Sequence, residues 1–129
     1  MYTLTLIFNK DMDKVLMCNH RKLGKPNFVG GHIEYLENPM DASYREVFEE
    51  TGISKEDIEL KFLQTDSWVM CNSEMWNLYV TYGILNKDVE LVEEANPLYW
   101  EENWQNLIDG YGEGILLVYL NRALKFINN

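Results

Sequence analysis

The segment from Asn38 to Gly52 constrains the fold more than any other stretch, because both of its ends carry helix signals. Asn38 is a strong N-cap residue, Pro39 suits the first helical position, and Asp41 places negative charge in the first turn. Gly52 can adopt the left-handed conformation that ends a helix. The spacing therefore predicts a helix over Pro39–Thr51.

This predicted helix has an apolar stripe and an acidic stripe. On a wheel of about 100° per residue, the stripe that we expect to pack on a sheet holds Met40, Tyr44, Val47, Phe48 and Thr51. The roughly opposite side holds Glu46, Glu49 and Glu50, with Cβ atoms within about 5–6 Å of one another. Such carboxylates repel one another, and a hard cation such as Mg²⁺ or Mn²⁺ relieves that repulsion. The alternative interpretation is a solvated acidic helix face.

Length and charge limit the partners that we expect. A chain of 129 residues with 47% hydrophobic residues fits one domain over residues 1–129. The net charge of −10 disfavours nucleic-acid polymers, whose binding requires basic surface. Clustered carboxylates can still bind a small phosphate-bearing molecule through a bridging cation. The expected partner is therefore a small molecule.

Neither a targeting segment nor a metal-binding cysteine motif is apparent. Met1–Phe8 lacks the basic region of a signal peptide, and no apolar run reaches membrane-spanning length. We therefore expect a cytoplasmic protein without a membrane partner. Cys18 and Cys71 have no metal-ligand spacing, and we expect two reduced thiols that pack as small hydrophobic side chains.

The remaining pattern alternates predicted strands with a few loops and indicates an α+β fold with a mixed sheet. A hairpin is predicted over Tyr2–Phe8 and Lys14–Cys18, followed by a basic loop over 19–27 and a short strand and turn over Phe28–Glu34. Further strands are predicted over Ile58–Met70, Met75–Leu85 and Leu98–Trp100. One helical turn is expected over Asn103–Ile108, and an amphipathic helix over Gly114–Ile127.

The residues around the first helix resemble a known signature. Five residues separate Gly31 from Glu37, seven more lead to Arg45, and a run from Glu46 to Ile53 reads EVFEETGI. This resembles the Nudix box, a 23-residue loop–helix–loop motif, at every defined position from Gly31 to Ile53. Length and strand–helix order are similar to those of the small MutT-like members. The resemblance implies the Nudix fold, an α/β/α sandwich with the mixed sheet between helices.

The same resemblance implies roles for the box residues in binding a divalent cation, Mg²⁺ or Mn²⁺. Glu49 and Glu50 match the metal ligands, and Glu46 matches a further ligand or a base that orients the attacking water. Gly30 matches the position whose backbone carbonyl completes the metal shell, where glycine permits close approach. Arg45 is expected to hold a box glutamate, Glu37, in place.

Outside the box, the resemblance implies fewer roles and leaves alternatives open. Glu94 is the acid that we expect to reach the metal from a loop, with its neighbour Glu93 as the other candidate. Asn27 and Asp109 are candidate contacts to the nucleotide base. By type Asn27 is equally suited to a turn, and Asp109, which is followed by glycine, fits a turn better than a base contact. None of the residues in Tyr111–Gly114 is asparagine, so strict specificity for an oxidised guanine nucleotide is not implied.

We therefore expect metal-dependent hydrolysis of a nucleoside triphosphate, including oxidised or non-standard ones, to the nucleoside monophosphate and pyrophosphate. One alternative is another nucleoside diphosphate derivative, such as ADP-ribose or a dinucleoside polyphosphate. Another is a non-catalytic module that senses a nucleotide, although such modules typically lose box glutamates. The sequence is compatible with a monomer or a homodimer.

Overall fold

The computed structural model describes residues 1–20, 25–69, 75–102 and 115–129. Seven strands and two helices lie within these ranges. The strands are β1 (Tyr2–Phe8), β2 (Val15–His20), β3 (Lys25–Asn27), β4 (Val29–His32), β5 (Lys61–Val69), β6 (Met75–Ile84) and β7 (Leu98–Glu101). The helices are α1 (Pro39–Thr51), between β4 and β5, and α2 (Ile115–Ile127), after β7.

The strands form one mixed sheet in which β1 is central. Its order is β3-β2-β1-β6-β5, with β4 also pairing with β1 and β7 also pairing with β2. The pairing of β1 with β6 is parallel, from Tyr2 with Leu78 to Phe8 with Ile84. The other pairings are antiparallel, including that of β1 with β4, which fixes the strand that enters the Nudix-like segment.

Side chains alternate along the strands and build a separate hydrophobic core on each face of the sheet. Leu6 of β1 and Met17 of β2 face α2 and pack with its Leu120. Ile7 and Leu16, one position along each strand, instead pack with Val47 of α1. Each helix therefore covers one face, which confirms the predicted α+β fold with an α/β/α sandwich.

The ends of α1 agree with the sequence prediction. The Asn38 side chain accepts hydrogen bonds from the backbone N–H groups of Met40 and Asp41 at 2.8 and 3.3 Å. Gly52 has φ 77° and donates its N–H to the Phe48 carbonyl at 2.9 Å. Both caps are local interactions, which is why the sequence predicts them well.

The predicted faces of α1 need correction at two positions. Phe48, expected to pack on the sheet, is 58% exposed, whereas Glu46, expected on the solvent side, is 9% exposed. The buried residues of the helix are Ala42, Ser43, Glu46, Val47 and Thr51. The helix is therefore rotated relative to the hydrophobic pattern, and one box carboxylate points inward.

Two predicted loop and strand boundaries are also corrected. Residues 19–27 are not wholly a loop, because Asn19 pairs with Pro26 where β2 meets β3. Proline is tolerated there because β3 lies at the end of the sheet. The strand predicted from Ile58 begins only at Lys61, and Ile58 forms an isolated bridge. The predicted turn over 103–108 and residues Gly114 and Cys71 lie outside the described residues.

Two further expectations concern membranes and cysteines. None of the helices in the described parts of the chain combines the length and apolar character needed to cross a bilayer. Cys18 is a buried free cysteine in the core under α1, as expected. Burial, followed by the charges of Glu50 and Glu93, raises the pKa of its thiol to about 12. Cys18 therefore stays a neutral thiol near the acidic part of the molecule.

Candidate metal and substrate site

Arg45 is the centre of the charge network around α1. Its guanidinium donates two hydrogen bonds to the Glu37 carboxylate, both at 2.8 Å, and a third to the His32 carbonyl at 2.9 Å. Its remaining terminal nitrogen donates to Glu46 at 3.0 Å and to Glu49 at 3.1 Å. The predicted contact between Arg45 and Glu37 is present, and the same guanidinium also orients two of the three helix glutamates.

The loop before α1 supports this network with a tight turn. The Glu37 N–H donates to the Glu34 carbonyl at 3.0 Å, and Leu36 has a φ of 64°. Positive φ at this third position is typical of a type II turn, which favours glycine there. The turn presents the Glu37 carboxylate to Arg45, whose hydrogen bonds lower the Glu37 pKa to about 2. Glu37 is therefore ionised over the whole physiological range.

Glu46 owes its inward position to a glycine on the neighbouring strand. A Cβ added at Gly31 would overlap the Glu46 carboxylate, so only glycine leaves room for that group. Burial raises the Glu46 pKa, while Arg45 opposes this and the charges of Glu49 and Glu50 reinforce it. Glu46 is therefore a better proton acceptor than an ordinary surface glutamate. Gly30, which precedes Gly31 in β4, lies against the backbone of Thr3.

Glu50 has an oxygen that the described chain does not satisfy. Its Oε2 atom is buried, and within the described residues it has no hydrogen-bond partner. Burial raises the pKa of Glu50 above its usual value. A hydrogen bond with Asn96 opposes this rise, and the charge of Glu49 adds to it. A buried carboxylate oxygen without a partner is costly unless a donor or a cation compensates it. This oxygen is therefore the site's clearest candidate for a metal ligand.

An open groove of about 580 Å³ runs beside these carboxylates. It is lined by Phe48, Glu49, Glu50, Gly52, Val92 and Glu94. The segment before β7 is attached to the end of α1, because the Val92 N–H donates to the Thr51 carbonyl at 2.8 Å. That bond places Glu94 on the same groove as Glu49 and Glu50, where the sequence analysis expected a loop acid.

Of the two residues predicted to contact the nucleotide base, Asn27 lies within the described residues. Asn27 lies in β3 and pairs with Cys18 of β2. The negative charge of Glu50 is one of the causes that raise the pKa of the Cys18 thiol. The side-chain oxygen of Asn27 accepts a hydrogen bond from the Phe28 N–H at 2.7 Å. Asp109 lies outside the described residues. The structure therefore brings Asn27 toward the acidic region, and its contact with a base stays a prediction.

Sequence reasoning missed three participants in this arrangement. Asn96 bonds to Glu50 from a distant part of the chain, and nothing in the sequence indicates that contact. Val92 was not singled out either, because its position depends on the bond to the end of α1. Gly31 was used only as the start of the motif, although the motif itself could have indicated that its missing side chain matters.

The carboxylate oxygens of this site are chemically suited to bind a hard divalent cation. Carboxylate oxygens are the ligands that Mg²⁺ and Mn²⁺ prefer, and Glu50 Oε2 is such an oxygen without a partner in the described ranges. No group of three Asp, Glu, His or Cys side chains in the described residues converges on one point. Arg45 instead bridges Glu46 and Glu49, and so neutralises part of their charge.

Comparison with known proteins identifies the class to which this fold and site belong. The model of the NUDIX domain matches residues 2–107. A NUDIX-family hydrolase from Clostridium perfringens is 23% identical, with a TM-score of 0.74 over 94% of this chain and 93% of that one. The Ap4A hydrolase of C. elegans is 18% identical, with a TM-score of 0.80 over 98% and 96%. A search of curated proteins finds no significant match.

The chain belongs to the NUDIX family, since the family model covers most of its length. A third similar structure is the dihydroneopterin triphosphate pyrophosphohydrolase of E. coli, 20% identical, with a TM-score of 0.74 over 84% of each chain. With the complete box present, the chain is a pyrophosphohydrolase of this family.

Proposed function

We propose that this enzyme hydrolyses a nucleoside triphosphate to the monophosphate and pyrophosphate with the help of Mg²⁺ or Mn²⁺. The observation that carries the proposal is the buried Oε2 atom of Glu50, which has no hydrogen-bond partner among the described residues, in a side chain that lines one groove with Glu49 and Glu94. Phosphates approach three carboxylates only if cations reverse the local charge. A phosphate-bearing substrate and a divalent metal are therefore proposed together.

In this proposal Glu49, Glu50 and the Gly30 carbonyl hold the cation, with Glu94 as an additional ligand from the groove wall. Once bound, the cation supplies polarisation of the phosphoryl oxygens and neutralisation of the leaving group. Arg45 positions Glu46 and Glu49 through its hydrogen bonds, while its own orientation is fixed by Glu37.

Glu46 is either a further ligand or the base for the attacking water. Its raised pKa and its burial beside Gly31 favour the second role. In that role its carboxylate accepts a proton while the water oxygen bonds to phosphorus. The bond from phosphorus to the bridging oxygen then breaks, and pyrophosphate leaves with the electron pair. No covalent intermediate with the protein is needed.

A second candidate substrate class is a dinucleoside polyphosphate. It is supported by the similarity to the C. elegans Ap4A hydrolase, whose fold superposes over nearly the whole chain with a TM-score of 0.80. Both substrate classes contain a nucleoside and a phosphoric anhydride, so both fit the same set of acids. ADP-ribose is a third substance with this chemistry. Asn27 and Asp109 are the side chains proposed to contact the base in each case.

The test is a substrate panel with Mg²⁺ and with Mn²⁺ that measures released pyrophosphate and phosphate separately. Nucleoside triphosphates, Ap4A and ADP-ribose are compared at equal concentration. Pyrophosphate release from triphosphates is the expected result. Hydrolysis of Ap4A or ADP-ribose without turnover of triphosphates would replace the first candidate by the second class. Absence of turnover on every nucleotide would contradict the proposal.

Variants test the metal ligands in the same assay. Glu50→Gln and Glu49→Gln are expected to lower kcat/KM by roughly a hundredfold or more, because each removes a charged ligand. Glu56→Gln is the matched control, since Glu56 is an exposed carboxylate beyond the end of α1. Equal activity in all three variants would show that the helix carboxylates do not serve the reaction.

A further inference from the structure

Two large apolar side chains are exposed beside the acidic groups of the groove. Phe48 is 58% exposed and Val92 is 51% exposed, and both line the same groove as Glu49, Glu50 and Glu94. The groove therefore has an apolar wall and an acidic wall. Exposed apolar side chains that adjoin polar groups are typical of a ligand-binding surface.

The backbone that carries the apolar wall is anchored by hydrogen bonds. The Val92 N–H bonds to the Thr51 carbonyl at 2.8 Å, and a Cβ added at Gly52 would lie 3.0 Å from a methyl group of Val92. The Phe48 carbonyl accepts the bond that caps the helix at Gly52. The backbones of both apolar residues are thus anchored at the C-terminal end of α1, beside the same groove.

We propose that Phe48 and Val92 form the platform on which the flat base of the nucleotide packs. The phosphates of the same molecule then extend along Glu49, Glu50 and Glu94, together with their cations. This inference rests on the proposed function, and it adds residues that determine affinity for the nucleoside part. Aromatic side chains bind bases by stacking, and a groove of about 580 Å³ is within the range of small-molecule sites.

Charge favours a nucleotide over a protein partner as the occupant. A protein that covered Phe48 would also cover the exposed carboxylates of Glu49 and Glu94. Charged residues are depleted at the buried centres of protein interfaces, because leaving them without a partner is costly. A nucleotide with bound cations instead offers an apolar ring to one wall and positive charge to the other.

The experiment measures binding separately from catalysis. The probes are ATP and GTP analogues with a methylene group in place of the α,β-bridging oxygen, and inorganic tripolyphosphate, which has no base. Each is titrated with Mg²⁺ by calorimetry against the wild type and the variants Phe48→Ala and Phe48→Tyr. Phe126→Ala is the matched control, since Phe126 is 46% exposed on α2, the helix on the other face of the sheet.

Phe48→Ala is expected to raise the Kd for at least one analogue about tenfold and to leave the Kd for tripolyphosphate unchanged. Phe48→Tyr is expected to restore binding, because it retains the ring, and Phe126→Ala is expected to bind like the wild type. An unchanged Kd in Phe48→Ala, or equal losses for analogue and tripolyphosphate, would overturn the inference.

Four further outcomes are equally decisive. A loss of affinity in Asn27→Ala with none in Phe48→Ala would place the base at β3 and overturn the inference. A change of oligomeric state in Phe48→Ala, measured by light scattering, without a change in Kd would assign the platform to a second copy of the chain. Binding of an analogue without hydrolysis of any nucleotide would contradict only the proposed function, whereas no binding would contradict both.

Discussion

The two faces of the sheet differ in what they bury. The face under α2 is a core of aliphatic and aromatic side chains. The face under α1 also has a hydrophobic core, but it includes the buried polar residues of the described chain: Thr3, Thr5, Ser43, Glu46, Thr51 and Thr81. One face therefore mainly stabilises the fold, while the other combines stability with the placement of polar groups.

Most of the buried polar groups under α1 are satisfied within the protein. The hydroxyl groups of Thr5 and Thr81 bond to each other across β1 and β6 at 2.8 Å, and Ser43 donates to the Pro39 carbonyl at 2.9 Å. Small hydroxyl residues let the helix approach the sheet closely. From α1, Glu46 reaches Gly31 of β4 on the sheet, while Glu49 and Glu50 reach the groove.

The largest expected effect on stability lies on the α2 face. Leu120→Ala removes a fully buried side chain from that core, and we expect a loss of about 3 kcal/mol in the free energy of unfolding. Urea denaturation measures this loss. At a temperature where the variant is folded, kcat/KM should equal that of the wild type. A large loss of activity in the folded variant would contradict the division between the two faces.

On the α1 face, we expect Gly31→Ala to lower activity and to leave stability nearly unchanged, the reverse of Leu120→Ala. The added Cβ meets the flexible end of Glu46, so the carboxylate moves and kcat/KM falls about a hundredfold, while stability changes little. Gly30→Ala is the contrasting variant, because its Cβ meets the Thr3 backbone and should cost about 2 kcal/mol or more in stability. Steady-state kinetics and denaturation of both variants check the contrast. Similar profiles for the two would refute it.

A third effect depends on pH and concerns the Glu37–Arg45 ion pair. Arg45 lowers the Glu37 pKa from 4.5 to about 2, so the pair stabilises the folded state fully above pH 4.5. That contribution is lost as the pH falls from 4.5 through 2, because the carboxylate becomes protonated. Glu37→Gln should be less stable at pH 7 and lose less stability over this window.

Thermal unfolding between pH 2 and pH 7 measures this difference. Glu34→Gln serves as the control, since its exposed side chain lies 4.0 Å from Arg45 and makes a weaker pair. A Glu37→Gln variant with the same pH dependence as the wild type would show that this ion pair does not stabilise the α1 face.

The smallest expected effect is a gain in stability in the loop before α1. Leu36 is 87% exposed and has a φ of 64°, which an L-residue adopts at a cost of about 1–2 kcal/mol. Leu36→Gly removes that strain, and after the entropy of glycine we expect about 0.5–1 kcal/mol of stabilisation. Leu36→Ala retains the Cβ and should show no such gain. A lower melting temperature for Leu36→Gly than for Leu36→Ala would be inconsistent with strain.

The parts of the structure that depend on nearby residues were predictable from the sequence. Asn38 and Gly52 define the ends of α1 through bonds to residues within four positions. The hydrophobic pattern of the strands also indicated a sheet with helices. The box supplied the Arg45–Glu37 pair, because its spacing is itself the signature.

The parts that depend on distant residues were not predictable. Glu46 is buried because Gly31 leaves space for it, and Phe48 is exposed because it borders the groove rather than the sheet. A helical wheel contains neither neighbour, so it assigned both residues to the wrong side. Likewise, nothing in the sequence of Val92 or Asn96 reveals that they meet the end of α1 and Glu50.

The parallel pairing of β1 with β6 also affects how the chain can fold during synthesis. Thr5 and Thr81 meet across this pairing although 76 positions separate them in the chain. The central strand β1 therefore leaves the ribosome long before β6 has been synthesised. The segment from Gly31 to Ile53 is complete before this pairing can form. Closing so long a loop is slow relative to local helix formation. Until β6 is synthesised, the apolar edge of β1 that β6 will cover lacks that partner, and open strand edges of this kind favour aggregation.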